Sequence, residues 1–211
     1  VAEGATGRNS GFIIDLPHEV SSEDVGGSST DRARRDITLY RTAIGLATDM
    51  AQEYGWGRDI IDPCGRYSVA ISQKGDAHIK AYARQLQGLN ESYEILDAKG
   101  IHEVTGSQLY TSGLYMPGTV MVQPAAYIRA VADSLRNPVT LYENSAVRSF
   151  DKQPGGWSVK TSKGTVTAKR IILANNGHAQ SFGLFPGQLL HVFTYASMSE
   201  PFDPRRLSGK R

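Results

Sequence analysis

The longest periodic stretch of the chain begins near residue 31. Apolar side chains then recur at intervals of three and four residues as far as Gly55 and Gly57, which predicts one long amphipathic helix ending at those glycines. The side chains expected on its buried face are Ile37, Tyr40, Ile44, Ala47, Met50 and Tyr54. The hydroxyl and carboxylate residues Ser28, Ser29, Thr30 and Asp31 stand at its start and are expected to cap it.

The next part of the chain alternates between strand and helix patterns. Residues 65–72 alternate in polarity like a strand, and residues 74–89 have the spacing of a second helix. Residues 93–96 predict a brief strand, after which Asp97 is placed to cap a short helix that ends at Gly106.

Residues 109–122 are rich in β-forming side chains and are interrupted at Pro117 and Gly118. Pro124 follows in the position that favours the first turn of a further helix, because its fixed φ suits a helix start. This part of the chain therefore predicts two strands and then a helix.

From Val139 onward short apolar runs are separated by polar turns, which predicts small strands. The expected strands are VTLYE, AVRSFDKQ, WSVKTS, TVTA, RIILAN and, last, HVFTYASM. RIILAN (residues 170–175) lacks alternation, as expected of a strand covered on both faces. We expect an α/β or α+β chain with helices on one face of a mixed sheet and a three-stranded antiparallel meander at 156–173.

Composition narrows the class of protein. The 211 residues are 40% hydrophobic and 21% charged, with a net charge of +2, which is typical of a globular protein and gives no basic footprint for nucleic acid. No apolar run is long enough to span a membrane. Cys64 is the only cysteine, so no intrachain disulfide can form, and the Cys and His spacings predict no metal site. We expect a cytoplasmic protein without nucleic-acid or membrane partners.

Residues 4–11 read GATGRNSG and form the most distinctive short segment. Glycines allow close backbone approach, and the guanidinium of Arg8 is suited to a phosphate or carboxylate. The segment is therefore either a loop that lies against a charged ligand or a solvent-exposed loop without one.

Taken in order, the segments GATGRNSG, LYMPGTVMVQPAAYIRAVADSL and LYENSAVRSFDKQPGGWSVKTSKGTVTAKRIILANNGHA resemble one family. They are similar to the FAD-dependent oxidoreductases of the D-amino acid oxidase and glycine oxidase superfamily, with γ-glutamylputrescine oxidase-like members as the nearest resemblance. That family carries a G-x-G-x-x-G turn for the FAD pyrophosphate, and this sequence has none. The resemblance thus implies a central fragment of a longer protein that begins after the nucleotide-binding unit, with a partial Rossmann-like domain and a substrate domain.

The resemblance also implies which residues contact the cofactor. The GATGRNSG loop matches a loop under the FAD pyrophosphate and ribityl chain, which implies roles for Gly4, Ala5, Thr6, Gly7, Arg8, Asn9, Ser10 and Gly11. Val147 matches a position whose backbone meets the adenine, although a buried strand valine is an equal alternative. Ala174, Asn175 and Gly177 match a turn that touches the cofactor, and an ordinary strand-end turn is the alternative. No catalytic residue is implied.

By the same resemblance the chain divides into five parts. They are a flavin-contacting loop region (1–27), a helical segment (28–64), a substrate-domain portion (65–138), a β-meander with a return strand of the FAD domain (139–180), and the start of a further substrate-domain segment with a polar tail (181–211).

The implied activity is oxidation of the C–N bond of an amine or amino acid, with electrons passing to FAD and then to O₂. Alternatives are a dehydrogenase or demethylase with another acceptor, and a binding module without flavin. The isolated chain is expected neither to retain FAD nor to turn over, because most pyrophosphate donors would lie elsewhere. Uncovered apolar edges would favour a dimer of such a fragment.

Overall fold

The computed structural model describes residues 1–17 and 27–190, together with residues 192, 194, 195, 197, 200, 201 and 203, and it describes no side chains for 27–29. The chain forms two compact units. The larger contains Ala2–Ser134 and Met198–Arg211, and the smaller contains Val1 and Leu135–Ser197. Among the described residues, the larger unit contains two sheets and the smaller unit contains one.

The larger unit begins with a short 3₁₀ turn at Ala5–Gly7 and continues with alternating helices and short strands. In chain order they are β1 (Phe12–Ile13), α1 (Gly27–Tyr54), β2 (Ile61–Asp62), β3 (Arg66–Ala70), α2 (Gln73–Leu89), β4 (Glu94–Asp97), α3 (Ala98–Thr105), β5 (Ser112–Met116), β6 (Val120–Val122) and α4 (Pro124–Ser134). These bounds confirm the predicted helices and strands of residues 31–134 to within a few positions.

Two three-stranded sheets organise this unit, in the orders β1-β6-β2 and β3-β5-β4. Every described strand pairing is antiparallel, where a mixed sheet was expected. The predicted fold class, α/β or α+β, is nevertheless confirmed. Helix α2 covers one face of β3-β5-β4, where Leu86, Leu114 and Met116 are almost completely buried.

Helix α1 ends as predicted, because Tyr54 is its last residue and Gly55 takes the left-handed conformation at φ +68°. Its predicted buried face is confirmed in part, because Ile37 and Ala47 are buried while Tyr40 and Tyr54 are exposed. The buried positions of α1 are Ala33, Ile37, Ala47 and Ala51. The predicted cap was also wrong, because the helix begins at Gly27, so that Ser28, Ser29, Thr30 and Asp31 lie inside its first turns.

The short helix α3 has the predicted caps. Asp97 accepts a hydrogen bond from the backbone N–H of Gly100 at 2.8 Å, and Gly106 ends α3 in the left-handed conformation. Helix α4 begins at Pro124 as predicted, and the side chain of Gln123 accepts a hydrogen bond from the backbone N–H of Ala126, a cap that was not predicted. The contacts of Asp97 and Gly106 are local, which explains why the sequence predicted them.

The smaller unit contains a three-stranded antiparallel meander, as predicted, but at residues 147–168 rather than 156–173, because the strand before Gly156 belongs to it and RIILAN does not. Its strands are β7 (Val147–Gln153), β8 (Gly156–Thr161) and β9 (Thr165–Ala168), and they are joined by turns at residues 154–155 and 162–164. A seven-residue 3₁₀ helix follows at Asn176–Phe182. Phe150 lies 5.9 Å from Trp157 and 5.2 Å from Phe182 between ring centroids, so aromatic contacts join this helix to the sheet.

Three predicted strands of the smaller unit are not strands in the described residues. VTLYE (139–143) and RIILAN (170–175) have no regular structure, and neither do residues 192, 194, 195 and 197 of HVFTYASM, whose other residues lie outside the described part. A strand needs a partner for its backbone groups, and no described strand pairs with these runs. Ile172 is consequently 91% exposed despite its apolar side chain.

Among the described residues, no helix combines the length and the apolar character that crossing a membrane would require.

Candidate functional site

A cavity of about 640 Å³ lies in the smaller unit, between the meander and the segment that follows it. Its walls are mostly apolar, as is usual for cofactor and small-molecule sites. The lining residues are Ala146, Val147, Phe150, Val159, Ile171, Ile172, Leu173, Ala174, Asn175, His178, Ser181 and Phe182. Three of the four positions predicted in this unit to contact a cofactor, namely Val147, Ala174 and Asn175, therefore lie around one cavity.

The fourth, Gly177, is the second residue of the 3₁₀ helix whose later residues His178, Ser181 and Phe182 form part of the wall. Left-handed backbone occurs at Asn176, with φ +50°, rather than at Asn175. This single left-handed residue turns the chain from the extended run into the helix. The same turn places Asn175 and His178 on one cavity.

Asn175 provides the most specific polar group of the cavity. Its side-chain oxygen Oδ1 is buried and has no hydrogen-bond partner among the described residues. Leaving a buried acceptor unpaired costs about 1–3 kcal/mol, so this atom is a natural acceptor for a donor group on a ligand. The cavity thus combines apolar walls with one unmatched acceptor.

Val147 lies at the start of β7, where the pairing with β8 is irregular. Its partner is Thr161, and the register shifts between Val147 and Ser149. A bulge of this kind leaves a backbone group outside the regular ladder. Val147 is also 41% exposed, so it is not the buried strand valine that was the alternative reading of the sequence.

The GATGRNSG loop (residues 4–11) belongs to the larger unit and is held together by its own side chains. The side-chain amide of Asn9 donates to the carbonyl oxygen of Thr6 at 2.7 Å, and Asn9 Oδ1 accepts from the backbone N–H of Gly11 at 2.9 Å. The carbonyl of Gly11 in turn accepts from the N–H of Val122 at 2.7 Å, which ties the loop to β6. The side chain of Asn9 therefore shapes the loop.

Two glycines of the loop are required by the fold. A Cβ atom at Gly7 would collide with the carbonyl oxygen of Ala2, and one at Gly11 would collide with that of Val122. Gly11 also has φ +78°, which few other residues adopt without strain. These positions explain part of the glycine content without any ligand.

Arg8 and Ser10 are the side chains that the loop leaves free. Both are exposed, and neither makes a hydrogen bond or ion pair with any described residue. A free guanidinium on a small-residue loop is a suitable partner for a phosphate or carboxylate group. The structure is therefore compatible with the ligand-contacting interpretation of the segment.

A buried charged group outside the predicted site was missed from the sequence. Asp15 is 1% exposed and is paired with Arg41 on α1, which also binds Glu91. The hydrogen bond from Arg41 to Glu91 raises the pKa of the guanidinium, an effect that desolvation opposes and the bond to Asp15 reinforces. The three residues are far apart in the sequence, so no local pattern could have revealed them.

These observations define a class of protein. It is an α/β chain with an apolar cavity, large enough for part of a cofactor, beside an antiparallel meander, and with a glycine-rich loop in which the guanidinium of Arg8 is unpaired. The chain belongs to the DAO family of FAD-dependent oxidoreductases, whose family model matches residues 1–209.

Similarities to individual proteins support the same family assignment. The chain is 27% identical over 191 residues to γ-glutamylputrescine oxidoreductase of Escherichia coli K12, an alignment that covers 83% of this chain and 41% of the relative. Glycine oxidase from Geobacillus kaustophilus has a similar fold, with a TM-score of 0.68 at 19% identity over 86% of this chain and 48% of that one. L-amino acid deaminase from Proteus myxofaciens has a TM-score of 0.66 at 17% identity, over 87% of this chain and 40% of that one. The chain spans less than half the length of these relatives.

The residues present fit the cofactor of the family. The cavity offers apolar walls and the unpaired acceptor Asn175 Oδ1, which suit a planar heteroaromatic group with an N–H donor such as adenine. The GATGRNSG loop offers the free guanidinium of Arg8, which suits an anionic group of the cofactor.

Proposed function

We propose that this chain is part of an FAD-dependent oxidoreductase that oxidises the C–N bond of an amine or amino acid and transfers the electrons to O₂. The observation that carries the proposal is the cavity that brings Val147, Ala174 and Asn175 together, since the family resemblance implies all three as cofactor contacts. Membership of the family supports the cofactor, and the similarity to γ-glutamylputrescine oxidoreductase supports the amine.

Bound FAD supplies a two-electron acceptor, while the protein positions the substrate and sets the local charge. In this chain, Asn175 Oδ1 would accept a hydrogen bond from the heteroaromatic end of the cofactor, and Phe150 and Val159 would exclude water from it. Arg8 would pair with an anionic group, and Asn9 holds the loop in the shape that presents Arg8. No residue of this chain is assigned to proton transfer.

The favoured substrate is a γ-glutamylated polyamine or a related small primary or secondary amine. Its oxidation removes two electrons and two protons from the C–N unit and gives an imine, which water hydrolyses to a carbonyl compound and a free amine. Two electrons and two protons delivered to O₂ give hydrogen peroxide, so peroxide should form in a one-to-one ratio with substrate.

The experiment uses the protein as its gene encodes it, purified with its flavin. γ-Glutamylputrescine, putrescine, glycine, a primary alcohol and a sugar are each added while flavin absorbance and oxygen are recorded. Amine-dependent bleaching with oxygen uptake supports the proposal. Bleaching with amines but reoxidation only by an added dye identifies a dehydrogenase, and bleaching with alcohols or sugars alone would contradict the amine assignment.

A separate titration tests the expectation that the 211-residue chain alone retains no FAD. The sequence contains no G-x-G-x-x-G turn, so only the cavity and the loop are available as contacts. Micromolar or tighter binding, measured by flavin fluorescence, would show that the chain already contains the principal cofactor contacts.

A further inference from the structure

Three side chains form a straight row across the β3-β5-β4 sheet of the larger unit. Tyr67 on β3 is directly opposite Tyr115 on β5, and Tyr115 is directly opposite Glu94 on β4. Directly opposed residues of antiparallel strands project from the same face, with Cβ atoms about 4.5–5.5 Å apart. The two rings and the carboxylate are therefore neighbours on one face; this is the Tyr67–Tyr115–Glu94 row.

The row lies on the face of the sheet that α2 does not cover. The opposite face carries Leu114 and Met116, which are buried against α2. Tyr67 is 43% exposed and Glu94 is exposed, so both can be reached from solvent. These side chains are consequently not needed to fill the core of the unit.

The two rings are held in a defined geometry. Their centroids are 4.7 Å apart, with an angle of 34° between the ring planes. Tyr115 donates its hydroxyl hydrogen to the carbonyl oxygen of Cys64 at 3.3 Å, and its ring lies against Gly65, where a Cβ atom would collide with the ring. Gly65 has φ +71°, a conformation that glycine adopts without strain. The aromatic surface is therefore preorganised.

Glu94 supplies an unmatched negative charge at one end of the row. Its side chain makes no ion pair or hydrogen bond with any described residue. Its charge acts on the row, because partial burial, Tyr115 and Glu94 together raise the pKa of Tyr67. An unpaired carboxylate beside two aromatic rings, whose π-electrons attract cations, matches the charge of an organic ammonium group.

We propose that the Tyr67–Tyr115–Glu94 row is a binding subsite for an alkylammonium group, and specifically for the non-reacting ammonium of a diamine or polyamine substrate. This inference rests on the proposed amine oxidase function and adds to it the part of the substrate that is recognised. The ring faces contact the ammonium and its neighbouring methylene groups, while Glu94 pairs with the charge. A neutral hydroxyl in the same place gains neither contact.

The test measures binding separately from turnover. Putrescine, a dication, and butane-1,4-diol, its neutral analogue, are titrated calorimetrically into the flavin-containing protein as its gene encodes it. We expect putrescine to bind more weakly by about tenfold in Tyr67→Leu and in Glu94→Gln, and by less than threefold in Tyr67→Phe, which keeps the ring. The diol should bind to the wild-type protein no better than it binds to any of the variants.

Matched controls come from α1. Tyr40 is exposed to nearly the same extent as Tyr67, at 42%, and Glu53 is exposed without a described partner, so Tyr40→Leu and Glu53→Gln should leave putrescine binding unchanged. Circular dichroism of each variant shows that it is folded. Equal putrescine affinity in wild type, Tyr67→Leu and Glu94→Gln, or no putrescine binding at all, would overturn the subsite.

Steady-state kinetics then separate this inference from the function on which it rests. Tyr67→Leu should raise KM for putrescine about tenfold and leave KM for n-butylamine, which lacks a second ammonium, unchanged. If putrescine binds in a Tyr67-dependent manner but no amine bleaches the flavin, the subsite stands and the proposed reaction is wrong. If both amines are oxidised with the same KM in every variant, the reaction stands and the subsite is wrong.

Discussion

The hydroxyl group of Tyr82 donates a hydrogen bond to the carbonyl oxygen of Pro17 at 2.7 Å, and so joins helix α2 to a segment 65 positions earlier in the chain. Tyr82 is 6% exposed, so water cannot readily replace it as the donor. We expect Tyr82→Phe to lower the free energy of unfolding by about 1–2 kcal/mol, measured by urea denaturation at pH 7. An unchanged denaturation midpoint would show that the carbonyl of Pro17 finds another donor.

The same contact predicts the behaviour of the protein at high pH. Burial raises the pKa of Tyr82 above its ordinary value of 10.0, an effect that the nearby charge of Arg66 partly opposes. The stabilisation from the neutral phenol is fully present below pH 10 and is lost as the pH rises through the higher pKa of the folded state. The stability of wild type should therefore fall more steeply above pH 10 than that of Tyr82→Phe. Equal slopes for the two proteins would contradict this assignment.

The pairing of Arg41 with Asp15 gives a second stability prediction. Asp15 is almost completely buried and lies so close to Gly118 that a Cβ there would collide with its carboxylate. Arg41→Met removes the cation and leaves a buried charge unpaired, which should destabilise the protein by about 3 kcal/mol or more. Arg32→Met removes an exposed pair with Asp36 and should cost less than about 1 kcal/mol.

Thermal unfolding at pH 7 compares the two variants. Adding Asp15→Asn to Arg41→Met should recover part of the lost stability, because the unpaired charge is then removed. Equal melting temperatures for Arg41→Met and Arg32→Met would show that Asp15 is compensated by another group.

The local features of this fold were predictable from the sequence, and the long-range ones were not. Asp97 and Gly106 define α3 through contacts within a few residues, so their types alone located the helix. RIILAN has the composition of a covered strand, yet strand formation depends on a partner from elsewhere, and no described strand pairs with it. The composition of a segment indicates whether it can be buried, but it does not indicate which other segment packs beside it.

The same limit applies to the site. The family resemblance identified Val147 and Asn175 as candidates. It did not identify the apolar walls formed by Phe150 and Phe182, because these depend on the packing of the 3₁₀ helix against the meander. The buried face of α1 was predicted to include Tyr40 and Tyr54, whereas close contact with a sheet selects small side chains such as Ala51. The row formed by Tyr67, Tyr115 and Glu94 likewise depends on strand register.

The backbone of the GATGRNSG loop is expected to tolerate no side chain at Gly11. Its φ of +78° and the nearby carbonyl of Val122 both oppose a Cβ atom, so Gly11→Ala should destabilise the protein by more than about 1 kcal/mol. Gly45 lies within α1 with open space around it, and Gly45→Ala should instead stabilise by about 0.5–1 kcal/mol. Urea denaturation of both variants checks the opposite signs, and a shared sign would refute the argument from backbone geometry.

Arg8 is expected to act on the cofactor rather than on the fold. It is exposed and has no described partner, so Arg8→Ala should leave the melting temperature of the flavin-free protein unchanged. Loss of a charge-assisted hydrogen bond, worth about 1.5–3 kcal/mol, should weaken FAD binding by about 10- to 100-fold. Arg35→Ala, at an exposed position on α1, is the control and should retain full flavin content. The same flavin content in both variants would remove Arg8 from the cofactor site.

The cavity of the smaller unit makes the corresponding prediction for Val147. Val147 is partly exposed on the cavity wall, so Val147→Trp should fill the cavity without disturbing the buried side of the meander. If the cavity receives the adenine end of FAD, the added indole competes for that space and the purified protein should contain little flavin.

Val139→Trp adds the same side chain at a position of the same unit that is 49% exposed and does not line the cavity, so its flavin content should equal that of wild type. Because an isolated exposed valine contributes little to packing, both variants should melt within a few degrees of wild type when flavin-free. Full flavin content in Val147→Trp would exclude this cavity as the cofactor site and leave the GATGRNSG loop as the remaining candidate.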